Sequence, residues 1–411
     1  MLEATHSFIK QIGKKLNLSE QGIDRLLKPD AEHNFDIELK SGQKFKAYRV
    51  QHSNKLGPYK GGIRFHQNVN LDEIRALAIL MSLKTAAVGL PLGGAKGGVA
   101  VNPKELSRAE LEEISRQYVR HLVKFIGPDK DIPAPDVNTD QQIIDWMADE
   151  YERLTKDKSH ASFTGKSLHL GGSEGREAAT GRGGVIASAR LFQHLGKPKQ
   201  KLTYAVQGYG NVGSFFATIA QKEQPDWQMV AASDSRAAVY DPSGLDAKEL
   251  ADYKNSGKSF SDFRANGTRL ISNEALISLD TDVLVLAALE DALTESNAPK
   301  VKAKYIVELA NGPINEAAYQ YLTHLRQGSV GQASQPVTIL PDIIANAGGV
   351  IVSYLEWLQN KAGEHWPETK VNAELKKYMV KAVDHVYKSA TSQNLSLKEA
   401  ALAIALKRLT T

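Results

Sequence analysis

The stretch from Leu202 to Gly213 constrains the fold more than any other part of the chain. Leu202-Thr203-Tyr204-Ala205-Val206-Gln207 is a short apolar run of the kind that forms a buried strand. It passes directly into Gly208-Tyr209-Gly210-Asn211-Val212-Gly213, which opens a helix. In such a turn the first glycine permits the tight bend, the second lets backbone approach a pyrophosphate, and the third lets helix and strand pack closely. The free N–H groups and dipole of the helix favour a bound anion. Asp234 stands 21 residues after Gly213, at the end of the next apolar run, Met229 to Ser233. An acid there meets the adenosine ribose of a dinucleotide and disfavours a 2′-phosphate, which leans the reading to NAD. The adjoining Ser235 and Arg236 could tolerate NADP. A glycine turn in a sheet that binds nothing is the competing reading of the same residues.

Further strands are expected at Val283–Ala288 and Tyr305–Glu308, alternating with helical stretches. That alternation implies a parallel sheet with crossovers, an α/β fold. At 411 residues the chain is too long for one ordinary core, and two domains are expected. The first third is mixed. Asp36 to Val50 reads as strands and Leu71 to Val88 as a helix, with Asn70 and Glu73 placed as a capping box. Ser107 and Glu110 form a second box, for a helix reaching about Ile126. Thr139 and Gln142 suggest a third, leading into Ile143 to Leu154. Ser396 and Glu399 cap the last helix.

The net charge of +4, from 51 basic and 47 acidic residues, gives no case for nucleic acid or an anionic membrane as partner. With no cysteine, disulfides, thiolate catalysis and Cys-based metal sites are excluded, and no metal site is expected. The first residues carry no apolar run of signal-peptide type, and no segment is long enough to span a bilayer, so a cytoplasmic protein is expected.

Several charged residues stand in unusual surroundings. Lys96 has glycines on both sides, at 93, 94, 97 and 98. A lysine buried among close backbone loses its charge readily and can act as a base. The pattern also suits a phosphate site, although the P-loop spacing is not matched. Lys84 falls on the helical stripe Ile74, Leu77, Met81, Lys84, Val88, where it either snorkels or meets a buried anion. Lys60, beside Gly61 and Gly62, reads by itself as a surface lysine in a turn. Asp136 follows Pro133-Ala134-Pro135, a stiff extended segment able to hold a carboxylate for proton transfer. A loop acid leading into a helix is the alternative.

Seven motifs now stand in one order: Lys60-Gly61-Gly62-Ile63-Arg64-Phe65, Gly93 to Gly98, Pro133 to Asp136, Ala179-Thr180-Gly181, Gly208 to Gly213, Ala345 to Val350, and Ser353 to Trp357. In these the chain resembles the glutamate/leucine/phenylalanine/valine dehydrogenase family, and within it the glutamate-specific branch, from about residue 30 onward. The resemblance implies a substrate-binding and oligomerisation domain over 1–180. It implies a Rossmann-like doubly wound dinucleotide domain over 181–345, and C-terminal helices over 346–411 that return to the first.

It also implies roles. Lys96 would activate the attacking water and Asp136 would carry protons. Lys84 would bind the substrate α-carboxylate, and Lys60 with Ser353 the side-chain carboxylate. Gly61, Ala134 and Val350 would line the substrate pocket. Thr180, Gly208, Gly210, Asn211, Val212, Gly213, Asp234, Ser235, Asn311 and Asn346 would hold the cofactor, NAD or NADP. Relatives acting on apolar amino acids are expected to lack a lysine at position 60, where its charge would be left unpaired. A homohexamer is implied. The competing activities are a branched-chain or aromatic amino-acid dehydrogenase and a non-catalytic NAD-binding relative. Gln67, Ala237 and the long stretch 325–337 depart from the family pattern.

Overall fold

The computed structural model describes residues 2–197, 201–324 and 336–410. They form two compact units, Met1–Arg176 with Val350–Glu374 and Ala401–Thr411, and Glu177–Gly349 with Leu375–Ala400.

In the first unit come α1 (Leu2–Lys15), α2 (Glu20–Leu26), β1 (Ala31–Glu38), β2 (Lys44–Ser53), β3 (Tyr59–Phe65), α3 (Leu71–Ala87), β4 (Gly94–Val99), α4 (Arg108–Leu122), β5 (Asp131–Pro135) and α5 (Gln141–Thr155). The five strands lie in the order β1-β2-β4-β3-β5. β3 runs parallel to both β4 and β5. The prolines of β5 are tolerated because it is an edge strand. Side chains alternate across a strand. On β3 this sends Ile63 and Phe65 into a core with Tyr118 and Leu122 of α4 and Ile144 and Met147 of α5. Lys60, Gly62 and Arg64 therefore share the opposite face. On that side Ile74 and Ala78 of α3 pack with Val50 and Val69.

Caps set the helix starts, and one differs from expectation. Ser107 and Glu110 form the full capping box of α4, which ends at Leu122 rather than near Ile126. Asp140, not Thr139, caps α5 by accepting from the Ile143 N–H. The Thr139 hydroxyl is diverted: it donates to the Ile63 carbonyl at 2.7 Å and accepts from the Asp136 N–H at 2.7 Å. The buried side of α3 runs through Ile79, Ser82, Leu83 and Ala86. Leu77, Met81 and Lys84 lie at its margin, so Lys84 is half-buried rather than sunk in an apolar stripe.

In the second unit follow α6 (Ala179–His194), β6 (Leu202–Gln207), α7 (Asn211–Glu223), β7 (Trp227–Ser233), β8 (Ala238–Tyr240), α8 (Ala247–Asn255), β9 (Arg269–Ile271), α9 (Asn273–Ile277), β10 (Val283–Leu286), β11 (Tyr305–Glu308), α10 (Glu316–Thr323), β12 (Thr338–Leu340) and α11 (Asp342–Ala345). The sheet order is β12-β11-β10-β6-β7-β8-β9. From β12 to β7 all pairs are parallel, and β8 and β9 turn back antiparallel. The parallel sheet expected from the strand–helix alternation, doubly wound as the resemblance implies, is thus present. β10 ends at Leu286, two residues short of the expected Ala288. The stretch 325–337 lies outside the described residues apart from Pro336 and Val337.

The C-terminal helices are α12 (Gly348–Ala362), α13 (Glu368–Gln393) and α14 (Leu397–Thr410). The sequence reading assigned 346–411 to the first domain as a block. By contact, 375–400 belongs to the second unit. Arg190 and His194 of α6 hold Asp384 of α13, and His194 stacks on Tyr387. These side chains account for the difference.

Candidate active site

In the first unit, β3, β4 and the residue after β5 bring three expected groups together. Lys96 lies on the central strand β4 opposite Val50 of β2, and is 6% exposed. Its Nζ is 2.8 Å from Oδ1 of Asp136. The glycines around it exist for packing. A Cβ at Gly94 would strike Ser82 of α3 at 2.2 Å, and one at Gly97 would strike the Tyr118 hydroxyl at 2.2 Å. The stretch is a ladder strand with its glycines pressed against neighbours, which removes the phosphate-loop reading.

Asp136 is held on all sides. Its Oδ2 accepts from Nε of Arg64 at 2.7 Å, and its backbone is anchored by Thr139. Gly62 makes room for it, since a Cβ there would lie 2.8 Å from the Asp136 Cβ. Lys96 and Arg64 together bring the Asp136 carboxyl down to about 2, against the opposing pull of burial. Burial lowers Lys96 below the usual lysine range, helped by the Arg64 and Arg49 cations and opposed by Asp136.

Lys60 is a strand residue 1% exposed, not a surface lysine in a turn. Its Nζ donates to the Ile132 carbonyl at 3.1 Å. Burial brings it down to about 7, with Arg49 and Arg176 lowering it further and Glu356 and Asp131 opposing. Gly61 beside it admits no side chain, because a Cβ would lie 1.6 Å from the Ala95 carbonyl oxygen. Ala134 on β5 and Ser353 on α12 are buried, and Val350 at the start of that helix is half-buried.

Sequence reasoning missed the charges around Lys60. Arg49 and Asp131, both fully buried, form an ion pair that Gln51 also joins. Lys166 and Glu356 form a second buried pair at 2.7 Å. Arg176 carries a buried Nε with no hydrogen-bond partner. Glu356 lies within the Ser353–Trp357 motif, but only the packed structure shows that it is interior.

The second unit carries the expected cofactor residues. Gly208 has φ of +91°, and a Cβ on it would lie 2.7 Å from that of Ala288. A Cβ on Gly210 would meet nothing within 4 Å, leaving the space over the start of α7 open. One on Gly213 would strike the Gly208 carbonyl oxygen at 2.0 Å. Gly208 and Gly213 thus serve the tight bend and the close helix–strand packing expected of them, and Gly210 leaves open the space expected there. Asn211 is exposed, Val212 and Thr180 half-buried, and Ser235 and Asn311 exposed. Asn346 donates to Oδ1 of Asn311 at 2.9 Å, while its own Oδ1 and Oε1 of Gln207 are buried without a partner.

Asp234, expected to meet the adenosine ribose, is also engaged by the protein itself. Its Oδ1 accepts from the Arg236 and Ala237 N–H groups, and its Oδ2 from Lys254, Ser259 and the Phe260 N–H. These donors hold it far below the usual carboxylate range, against the pull of burial. It acts as a staple for the loops beyond β7, and Lys254 beside it offsets the negative charge on which the lean to NAD rested.

Residues 171–411 match the family model for glutamate/leucine/phenylalanine/valine dehydrogenase, and residues 29–153 match that of the family's dimerisation domain. The chain belongs to this dehydrogenase family. Among its relatives, an NADP-specific glutamate dehydrogenase of Halobacterium salinarum is 41% identical over 99% of this chain and 95% of its own. A glutamate dehydrogenase of Thermotoga maritima is 44% identical over 91% and 87%. An NAD-specific glutamate dehydrogenase of Staphylococcus aureus is 38% identical over 99% and 96%. The hetero-hexameric glutamate dehydrogenase of Thermus thermophilus in its Leu-bound form superposes with a TM-score of 0.87, at 35% identity over 100% and 95%. The dehydrogenase residues in the second unit fit a dinucleotide. The open face of Gly210 admits a pyrophosphate, and the unpartnered Asn346 and Gln207 oxygens can accept from a carboxamide. No described helix is long and apolar enough to cross a membrane. Among the described residues no cluster of His, Asp and Glu could hold a metal ion.

Proposed function

We propose that this chain catalyses the reversible NAD(P)-dependent oxidative deamination of L-glutamate to 2-oxoglutarate and ammonia. One observation carries the reading: buried Lys60 shares a sheet face with Lys96, whose ammonium is paired to Asp136. A charge that costs several kcal/mol to bury alone belongs where a substrate supplies the opposite charge. Glutamate supplies two carboxylates. Lys60, with the Ser353 hydroxyl, takes the one on the side chain, and Lys84 takes the α-carboxylate. Ala134, Val350 and Gly61 line the pocket between them. The half-buried Arg176, whose Nε is buried, adds a second cation on the Lys60 side.

The bound nicotinamide accepts the hydride in deamination and returns it in the reverse direction. Thr180, Asn311 and Asn346 hold its amide end, and the Gly208–Gly213 turn with Asn211 and Val212 holds the diphosphate. Asp234 shapes the adenosine end through its loops, and Ser235 borders it. Asp136 takes a proton from the substrate ammonium, freeing the nitrogen lone pair as hydride leaves Cα. Lys96, in its neutral form, removes a proton from the water that attacks the resulting iminium carbon. Asp136 then returns its proton to the departing nitrogen, the carbinolamine hydroxyl gives up its proton to solvent as the carbonyl forms, and ammonia leaves.

The first unit thus serves as substrate domain and the second as dinucleotide domain. Assembly as a homohexamer and a cytoplasmic address complete the reading; the hetero-hexameric Thermus relative supports six subunits, not their identity. Purified protein given 2-oxoglutarate, ammonium and NADH or NADPH should consume the reduced nicotinamide. Absence of consumption with both cofactors overturns the reading. Faster turnover with the keto acids of leucine or phenylalanine would move it to the apolar-substrate branch.

A further inference from the structure

Resting on that reading of Asp136, we infer that Arg64 is the positioning residue for the proton-carrying carboxylate, and that Glu73 sets how firmly Arg64 holds it. Four alternating charges stand in line across three elements. Lys96 from β4 meets Oδ1 of Asp136 at 2.8 Å. Arg64 from β3 meets Oδ2 through Nε at 2.7 Å, and its Nη1 reaches Oε1 of Glu73 on α3 at 2.5 Å. Asn70 in turn accepts from the Glu73 N–H and fixes the start of α3. Arg49 from β2 stands behind Lys96.

A guanidinium cannot give up its proton in a protein, so Arg64 takes no part in proton transfer. It can only orient the carboxylate and set its basicity. With Oδ2 tied to Nε, Oδ1 alone is left to exchange a proton with Lys96 and the substrate nitrogen. Two cations make Asp136 too weak a base for work near neutrality. In the neutral form in which Lys96 works, one of those cations is absent. Arg64 is the other, and Glu73 draws on the same guanidinium. The line is therefore a graded clamp, and its two ends oppose each other in sign. Loss of the Arg64 charge makes Asp136 more basic and less well placed. Loss of the Glu73 charge makes it less basic while leaving the tether.

The test is the pH profile of kcat for deamination at saturating glutamate, whose acid limb reports the base in the bound complex. Arg64→Gln should move that limb upward by about one pH unit and lower the plateau about tenfold or more, with KM for glutamate changed less than about threefold. Glu73→Gln should move the limb downward with a smaller plateau loss. Arg64→Lys should restore the limb position, since the charge returns, but only part of the plateau, since the fork geometry does not. A lower plateau in Arg64→Gln with an unmoved limb overturns the inference, as does a change confined to KM. If Arg64→Gln does not fold, judged by thermal unfolding and NADH binding, Glu73→Gln decides by the direction of its shift. Asp136→Asn separates the two levels. Full turnover there sinks the proposed function itself, whereas an inactive Asp136→Asn beside an unmoved Arg64→Gln limb sinks only the clamp.

Discussion

The two units use glycine for opposite ends. In the first, Gly61, Gly62, Gly94 and Gly97 are filled against by backbone and side chains, so that strands and α3 close around Lys60, Lys96 and Asp136. In the second, Gly208 and Gly213 are packed in the same way, but Gly210 between them faces open space at the head of α7. The first unit buries charge and needs a dense frame to do it. The second offers backbone N–H groups and needs room. In the proposed function the substrate half is therefore defined by side chains whose charges the protein pays to bury, and the cofactor half by main chain.

Breaking the substrate half at its centre has the largest expected effect. Lys96→Ala removes the base and one partner of Asp136. Turnover should fall by about 10³-fold or more, in the range ascribed to positioned proton transfer, while NADH binding, followed by nicotinamide fluorescence, stays within about twofold. Turnover left intact would remove the lysine mechanism whatever the substrate.

The comparison also explains what the sequence disclosed. Strand, turn and helix from Leu202 to Glu223 follow one another along the chain, and local pattern was enough to place them. Asp136 and Lys96 were legible as candidates because proline and glycine neighbours mark a stiff loop and a close approach. Lys60 was misread, since its burial depends on β5 and β4 flanking β3 from elsewhere in the chain. Thr139 was taken for a cap and instead ties Asp136 to β3 through Ile63. Arg64 lay in plain view inside a motif, but its two carboxylate partners come from residues 73 and 136. Asp234 was placed correctly on its strand end, yet the five donors that occupy it arrive from residues 236 to 260. Charges compensated over long sequence distances leave no periodicity to read.

A second break tests whether Lys60 selects the substrate. Lys60→Leu should cut kcat/KM for glutamate about 100-fold, the scale of losing a buried charge partner, and raise relative use of leucine or norvaline. The pH behaviour sharpens the point. In the native state without substrate this lysine releases its proton near pH 7, whereas the unfolded chain keeps it to about 10.5. Between those values the unfolded state binds more protons, so the Lys60 contribution to stability rises with pH and is least favourable below 7. A carboxylate arriving beside it reverses this by favouring the charged form. Glutamate binding at about pH 8.5 should therefore take up about one proton per site, seen by calorimetry in buffers of different ionisation enthalpy. In Lys60→Leu that uptake should disappear.

The smallest effects come from the proposed cofactor half, where the first two glycines of the turn should part company. Gly208→Ala forces a side chain into a positive-φ site and against Ala288, which costs about 1–3 kcal/mol of stability in the second unit. Gly210→Ala meets nothing, so its thermal midpoint should stay within about 2 °C of the parent. Its KM for NADH or NADPH should nonetheless rise about tenfold, because the added methyl stands where a pyrophosphate approaches the α7 N–H groups. KM for glutamate should not follow, since Lys60 and Lys84 stand in the other unit. If Gly210→Ala bound cofactor as the parent does, the open face of this turn would not be the diphosphate seat, however well the glycine spacing matches one. If glutamate KM rose with it, the division of labour between a charged half and a main-chain half would fail instead.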